Sequence, residues 1–194
     1  HWGVTGDSID KLRQALVLMA DHELNASTFA VRVAASTGAS IAASLLAGLA
    51  TLSGPRHGGA GAALAMLVQM AELQGAGLAL QGWLASGHAL PGFGHPLYPQ
   101  GDVRALALLA RFDLDPVMTA LCDVVSEATG QLPNIDFALA AMTRALKLPE
   151  QAPFLIFAQA RSVGWVAHAI EQVTAGSLIR PRGRYEGRLP SVTT

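Results

Sequence analysis

Nine residues, Leu52-Ser53-Gly54-Pro55-Arg56-His57-Gly58-Gly59-Ala60, constrain this chain more than any others. They force a tight polar turn between two long apolar helical runs. Pro55 cannot continue a helix and restrains the residue before it, so the first run ends at Gly54-Pro55. Gly58-Gly59 permits a close backbone approach beside His57. A helix is predicted to run on from Ala60 to about Leu73, which sets His57 just before a helix N-terminus. The dipole there disfavours an imidazolium and favours a neutral, hydrogen-bond-donating ring. An ordinary helix–helix turn carrying a histidine satisfies the same residues, so the turn alone assigns no role.

The same punctuation recurs along the chain. Half of the 194 residues are hydrophobic, 51%, and only 14% are charged, so a large core is possible. β-branched alternation is nearly absent, and the apolar residues recur at helical spacing, which predicts an all-α fold. Helices are expected from Asp7 or Ser8, either of which can cap, to Ala20, from Ser27 to Ser36 and from Ala39 to Leu52. Further helices are expected over Asp102–Arg111, Asp115–Ala128, Phe137–Leu146 and Ala152–Thr174. A Gly-containing segment, Gly75 to Gly87, separates the Ala60 helix from a second rigid loop, Leu90-Pro91-Gly92-Phe93-Gly94-His95-Pro96-Leu97-Tyr98-Pro99. A third loop is Gln131-Leu132-Pro133-Asn134-Ile135-Asp136. The tail from Ile179 to Gly187 is basic and irregular.

Several function classes recede on composition. A net charge of −1 argues against nucleic acid as the main partner. The lone Cys122 excludes an internal disulfide and a cysteine-based zinc site, and it fits a reducing cytoplasm. The most apolar run, Ile41 to Leu52, is too short for a membrane span. No signal-peptide pattern opens the chain. It begins at His1 rather than Met, which is expected of a fragment or a processed piece.

Each of the three loops presents one titratable residue among Gly and Pro: His57, His95 and Asp136. A carboxylate and two imidazoles on rigid turns suit acid–base chemistry next to a carbonyl. The carboxylate removes a carbon-bound proton, and the imidazoles stabilise or protonate developing oxyanions. Arg104, Arg161 and Arg180 are candidates for bidentate carboxylate capture. Spacing alone does not bring these six together. His1 and His88 read as surface residues, and His168 as a packed, hydrogen-bonded helix residue.

Six ordered pieces then stand out: Ala20-Asp21-His22-Glu23, Gly54–Ala60, Pro91–His95, Pro133–Asp136, Phe157–Trp165 and Arg180-Pro181-Arg182. Together they resemble the citrate synthase family, across residues 20–182 and from midway through that family's chain. The resemblance implies an acyltransferase that condenses acetyl-CoA, or a related acyl-CoA, with oxaloacetate to give citrate and free coenzyme A. Asp136 is implied as the base, His57 as the neutral donor to the thioester oxygen, and His95 as the acid for the ketone. His22, Arg104, Arg161 and Arg180 are implied as oxaloacetate ligands, with Arg180 supplied to the partner of a dimer. The backbone of Leu90, Pro91, Gly92, Phe93 and Gly94 matches the loop that cradles the adenine. No cofactor or metal beyond these substrates is implied. The chain departs from the family at Pro96 and Pro99, where bacterial relatives carry basic residues, and it is short between Ala105 and Gln131. 2-Methylcitrate formation, citryl-CoA cleavage and a non-catalytic dicarboxylate or acyl-CoA sensor are the alternatives.

The resemblance also implies an architecture. Residues 1–56 and 145–194 are expected to form part of a large helical domain, and residues 57–144 a smaller inserted one, with the site in the cleft between them. The small-sided apolar stretches 34–50 and 60–75 need covering helices, so a homodimer or higher oligomer is expected.

Overall fold

The computed structural model describes residues 2–55 and 57–188, apart from the side chain of Ala60. Among them all regular structure is helical: α1 (Asp7–Met19), α2 (Ala26–Ser36), α3 (Ile41–Leu52), α4 (Ala60–Gln74), α5 (Ala76–Ala85), α6 (Val103–Leu109), α7 (Pro116–Thr129), α8 (Ile135–Ala145) and α9 (Ala152–Ala175). The all-α expectation holds. No helix among the described residues is long and apolar enough to cross a membrane.

The starts of the helices follow from the sequence. Asn25, Ser40, Asp102, Asp115 and Asn134 each precede a helix and accept a first-turn backbone N–H through the side chain. Pro116 opens α7, where its missing N–H costs nothing. α1 departs from expectation: Gly6 stands at its cap with no side-chain bond, and Asp7 lies in the first turn instead, paired with Lys11 at 2.8 Å. The segment after Gly75 is the helix α5. Gly75, at φ 88°, makes the joint between α4 and α5 without ending helicity for more than one residue.

Two apolar cores form. One gathers Ala15 and Met19 from α1, Val31 and Ala35 from α2, Leu52 from α3, and Ile156, Phe157, Ala160 and Trp165 from α9. The other gathers Leu64 and Leu67 from α4, Ala79, Leu80 and Trp83 from α5, and Met118, Leu121 and Val125 from α7. α8 serves both. Ile135, Ala138, Leu139 and Met142 face the first core, while Phe137 and Ala141 face the second. The helical period alone produces this split, because positions 137 and 141 lie on a different stripe from 135, 138, 139 and 142.

The turn between α3 and α4 is tight for a local reason. The backbone N–H groups of His57 and Gly59 both donate to the Gly54 carbonyl, at 2.9 and 3.1 Å. A Cβ on Gly58 would lie 2.8 Å from the Leu52 side chain, and one on Gly59 would lie 2.7 Å from the Ser53 carbonyl. The two glycines therefore allow the turn to fold back on the end of α3, not to approach a neighbour of His57.

Candidate active site

Two loops meet to set His95 beside the start of α8. Gly94 N–H donates to the Leu132 carbonyl at 2.8 Å, and Asn134 N–H donates to the Gly92 carbonyl at 2.9 Å. The Asn134 side chain closes the pair through Nδ2 to the Gly94 carbonyl at 3.0 Å, while its Oδ1 caps α8. Gly92, at φ 80°, turns where a Cβ would sit 3.0 Å from Leu64. Phe93 is buried against Phe137, with ring centroids 5.0 Å apart. Pro91, Gly92 and Phe93 are buried, and the Gly92 and Gly94 backbone groups are taken up by the second loop.

Around these loops the rings converge. His22 lies edge-on to His95 at 5.3 Å between centroids, and Tyr98 touches both, at 5.9 and 4.9 Å. The Arg104 guanidinium sits over the Tyr98 ring at 5.1 Å. His57 packs edge-on against Phe157, whose ring also carries the Arg161 guanidinium at 5.0 Å. Phe157 and Arg161 are one turn apart on α9, so a single helix face presents both.

Burial disfavours the charged form of all three histidines. Burial pushes His22 down to about 4, with the charges of Arg104 and Arg161 adding to the effect. Burial, then Arg161, lowers His57. Burial, then Arg104, lowers His95. For His57 the expected helix dipole is therefore not the leading cause. Hydrogen bonds also settle which nitrogens are occupied. Leu97 N–H donates to His95 Nδ1 at 3.2 Å, so the proton of the neutral ring is on Nε2. His57 Nε2 pairs with Ser27 Oγ at 2.9 Å, which leaves Nδ1 for a ligand.

The charged groups divide into one that is compensated and one that is not. Arg104 Nε and Nη2 donate to the two carboxylate oxygens of Asp102, at 2.9 and 2.8 Å. Arg161 is fully buried, and only its Nε is used, donating to the Met19 carbonyl at 2.9 Å. Both of its terminal nitrogens lack a partner among the described residues. Burial, then the Arg104 charge, lowers this guanidinium to about 10. A buried, unpaired guanidinium with a free fork is costly, and it is the geometry that captures a carboxylate in two hydrogen bonds. Asp136 lies one residue into α8. Burial, opposed by Arg104 and aided by Asp102, pushes its carboxyl up to about 6.

The model of the family described as "Citrate synthase, C-terminal domain" matches residues 3–182. The chain belongs to the citrate synthase family. It is 35% identical to citrate synthase 2 of Bacillus subtilis over 193 residues, which covers 92% of this chain and 51% of that protein. The chain spans about half the length of the curated relatives it matches. The citrate synthase structure from Thermotoga maritima superposes with a TM-score of 0.81 at 30% identity, over 96% of this chain and 55% of that one. A ternary complex of the Thermoplasma acidophilum citrate synthase with carboxymethyl coenzyme A and oxaloacetate superposes with a TM-score of 0.77 at 30% identity, over 96% and 54%.

Of the residues singled out from sequence, His22, His57, His95, Arg104, Asp136 and Arg161 share one electrostatic neighbourhood. Arg180 does not join it. It is exposed in the tail, whose root is fixed by Ile179 N–H donating to Ser36 Oγ at 3.1 Å. Three residues of the site escaped the sequence reading. Asp102 holds Arg104 and also accepts Ile135 N–H at 3.0 Å, which ties the start of α6 to the start of α8. Ser27 braces His57 and accepts from Trp165 Nε1 at 3.3 Å. Tyr98 fills the space between His22, His95 and Arg104. The only advance signal was their closeness in sequence to motif residues.

Two hollows adjoin the site. A pocket of about 220 Å³ is bordered by His95, Tyr98, Asp102 and Gln131. A groove of about 880 Å³ runs between α4, α8 and the start of α9, with Asp136 on its wall among Ala62, Ala65, Leu139 and Ala140.

Proposed function

We propose that this chain carries the reaction centre of an acyltransferase that condenses an acyl-CoA, acetyl-CoA first, with oxaloacetate to give citrate and free coenzyme A. What supports the reading is the buried Arg161 fork, unpaired among the described residues, beside three histidines whose charged form burial disfavours and a carboxyl pushed up to about 6. Arg161 takes one carboxylate of oxaloacetate in two hydrogen bonds. Arg104, whose fork is already filled by Asp102, contributes a single-ended donor and charge. His22 completes the dicarboxylate site.

Asp136, as carboxylate, takes a proton from the acyl α-carbon. A base titrating near the working pH suits that step. The negative charge moves to the thioester oxygen, where the neutral His57 ring donates from Nδ1 once the Ser27 hydroxyl turns from Asn25 to donate to His57 Nε2. The α-carbon attacks the ketone carbon of oxaloacetate. His95 gives its Nε2 proton to the ketone oxygen as the C–C bond forms, and water then cleaves the citryl thioester. In this reading the chain's own side chains carry every step without a resident cofactor.

The same reading takes the catalytic cleft to lie between a smaller helical part, 57–144, and the remainder. It also takes the protein to be a cytoplasmic homodimer. Support for association comes from α3, where Leu46 and Leu49 stand exposed with Ala42 and Ala50 on one face. The tail would carry Arg180 into the partner's site.

The test is thiol release from acetyl-CoA by the full chain with oxaloacetate. Asp136→Asn should lower the rate at least about 100-fold, in line with a positioned acid–base group, and leave oxaloacetate binding within about threefold. Equal rates from both proteins would end the proposal. Oxaloacetate binding with no thioester consumed would make the chain a sensor. Competition by propionyl-CoA, and citryl-CoA supplied alone, separate the two related reactions.

A further inference from the structure

One face of α9 grips the segment that leads into His22, residue by residue. Arg161 Nε donates to the Met19 carbonyl at 2.9 Å. Gly164 N–H donates to the Ala20 carbonyl at 3.0 Å. His168 Nε2 meets Asp21 Oδ1 at 3.2 Å. Positions 161, 164 and 168 fall on one helical stripe, so the grip is continuous. Gly164 is required there, since a Cβ would stand 2.5 Å from the Ala20 carbonyl and 2.8 Å from Asp21 Oδ1.

The segment needs holding. Glu23, just after His22, has φ 53°, a left-handed conformation that disfavours a side chain. The Asp21 carboxylate accepts the Glu23 N–H at 3.4 Å. His168 in turn has its chemistry set from behind. Arg32 Nη1 lies 3.1 Å from His168 Nδ1, and a guanidinium only donates. His168 Nδ1 is therefore the acceptor, and Nε2 carries the proton that goes to Asp21. Arg32 is itself fixed by the Gln172 side chain at 3.0 Å and by Glu171 at 2.5 Å. Gln172, nearly fully buried, reaches on to the Ser177 carbonyl at 2.9 Å. A chain of hydrogen bonds thus runs from the root of the basic tail to the turn that carries His22.

We propose that His168 is a positioning residue: locked by Arg32 as an Nε2 donor, it holds Asp21, and Asp21 sets the orientation of His22 toward the dicarboxylate. This rests on the functional reading for the ligand, but not for the clamp itself. It gives His168 a task beyond packing, without contact to substrate.

The experiment uses the full chain labelled with ¹⁵N-histidine. In His168→Ala the His22 imidazole signals should move, and oxaloacetate affinity by calorimetry should fall about tenfold. Affinity for coenzyme A should stay within twofold, which a general loss of structure would not allow. His168→Gln keeps an acceptor for Arg32 and a donor for Asp21, so it should restore both readings to within threefold of wild type. Asp21→Ala removes the same bond from the exposed end together with the acceptor for Glu23 N–H, so it should move the His22 signals and lower oxaloacetate affinity at least as far as His168→Ala. Unmoved His22 signals in both alanine variants, or a Gln variant no better than Ala, would overturn the proposal. A wild-type chain that takes no oxaloacetate would sink the functional reading, and the His22 spectra would still decide the clamp.

Discussion

Asp136, the proposed base, shows how such a carboxyl trades against stability. Its unfolded value is 3.8 and its folded value about 6, so the fold favours the protonated form. That contribution is complete below pH 3.8 and is lost as pH rises through 6. At pH 7.5 the folded chain bears a half-buried carboxylate on the wall of the groove. Asp136→Asn should therefore raise Tm by about 2–6 °C at pH 7.5 and leave it nearly unchanged at pH 4, by thermal melts at the two pH values. Asp102 acts in the opposite direction. It is 1% exposed and accepts from Arg104 and Ile135, so an amide in its place would put an N–H against one of those donors. Asp102→Asn should cost about 3–5 kcal/mol in urea unfolding, as breaking a buried ion pair does. It should also shift the acid limb of the rate profile to lower pH, because one of the charges raising Asp136 is gone. His57, His95, Asp136 and the arginines could be picked out from sequence because Gly and Pro frame them or because apolar helix residues surround them. Asp102 could not, since a helix-cap aspartate and a buried counter-ion look the same in one dimension.

Glycines inside helices separate the two ways an element can use a missing side chain. Gly82 in α5 has only the end of Met70 near its would-be Cβ, at 3.6 Å, whereas Gly164 in α9 has the Ala20 carbonyl at 2.5 Å. Gly82→Ala should stabilise by about 0.5–1 kcal/mol through helix propensity. Gly164→Ala should destabilise by about 2–3 kcal/mol and weaken oxaloacetate binding, since α9 would be pushed off the segment before His22. Denaturant titration with binding calorimetry distinguishes the pair. The helices were largely legible because proline, asparagine and aspartate mark their starts and small apolar residues fill their bodies. α5 was not, because Gly75, Gly77, Gly82 and Gly87 mask a helix whose stability comes from burying Leu80 and Trp83 against α7. Gly58 and Gly59 signalled a close approach, but only the structure shows that the approach is to α3.

At the scale of the molecule, exposed apolar residues stand on α3 and along one face of α9, and also on α4 and α5 at Met66, Leu73, Leu78 and Leu84. Leu46 is 66% exposed and Val163 64%. Light scattering at micromolar concentration should show the proposed dimer for the unaltered chain and a monomer for Leu46→Glu with Leu49→Glu, with the helical content unchanged. An unaltered oligomer would place the interface elsewhere. α8 has a further consequence for how the molecule holds together. Its two stripes pack into two different cores, and Leu109 and Phe112 also touch both. The two helical groups are therefore bound into a single cooperative unit. Heating should melt them in one calorimetric transition, and damage in the α4–α5–α7 core should reach the proposed oxaloacetate site through α8 and through Leu109 of α6, which packs against both cores.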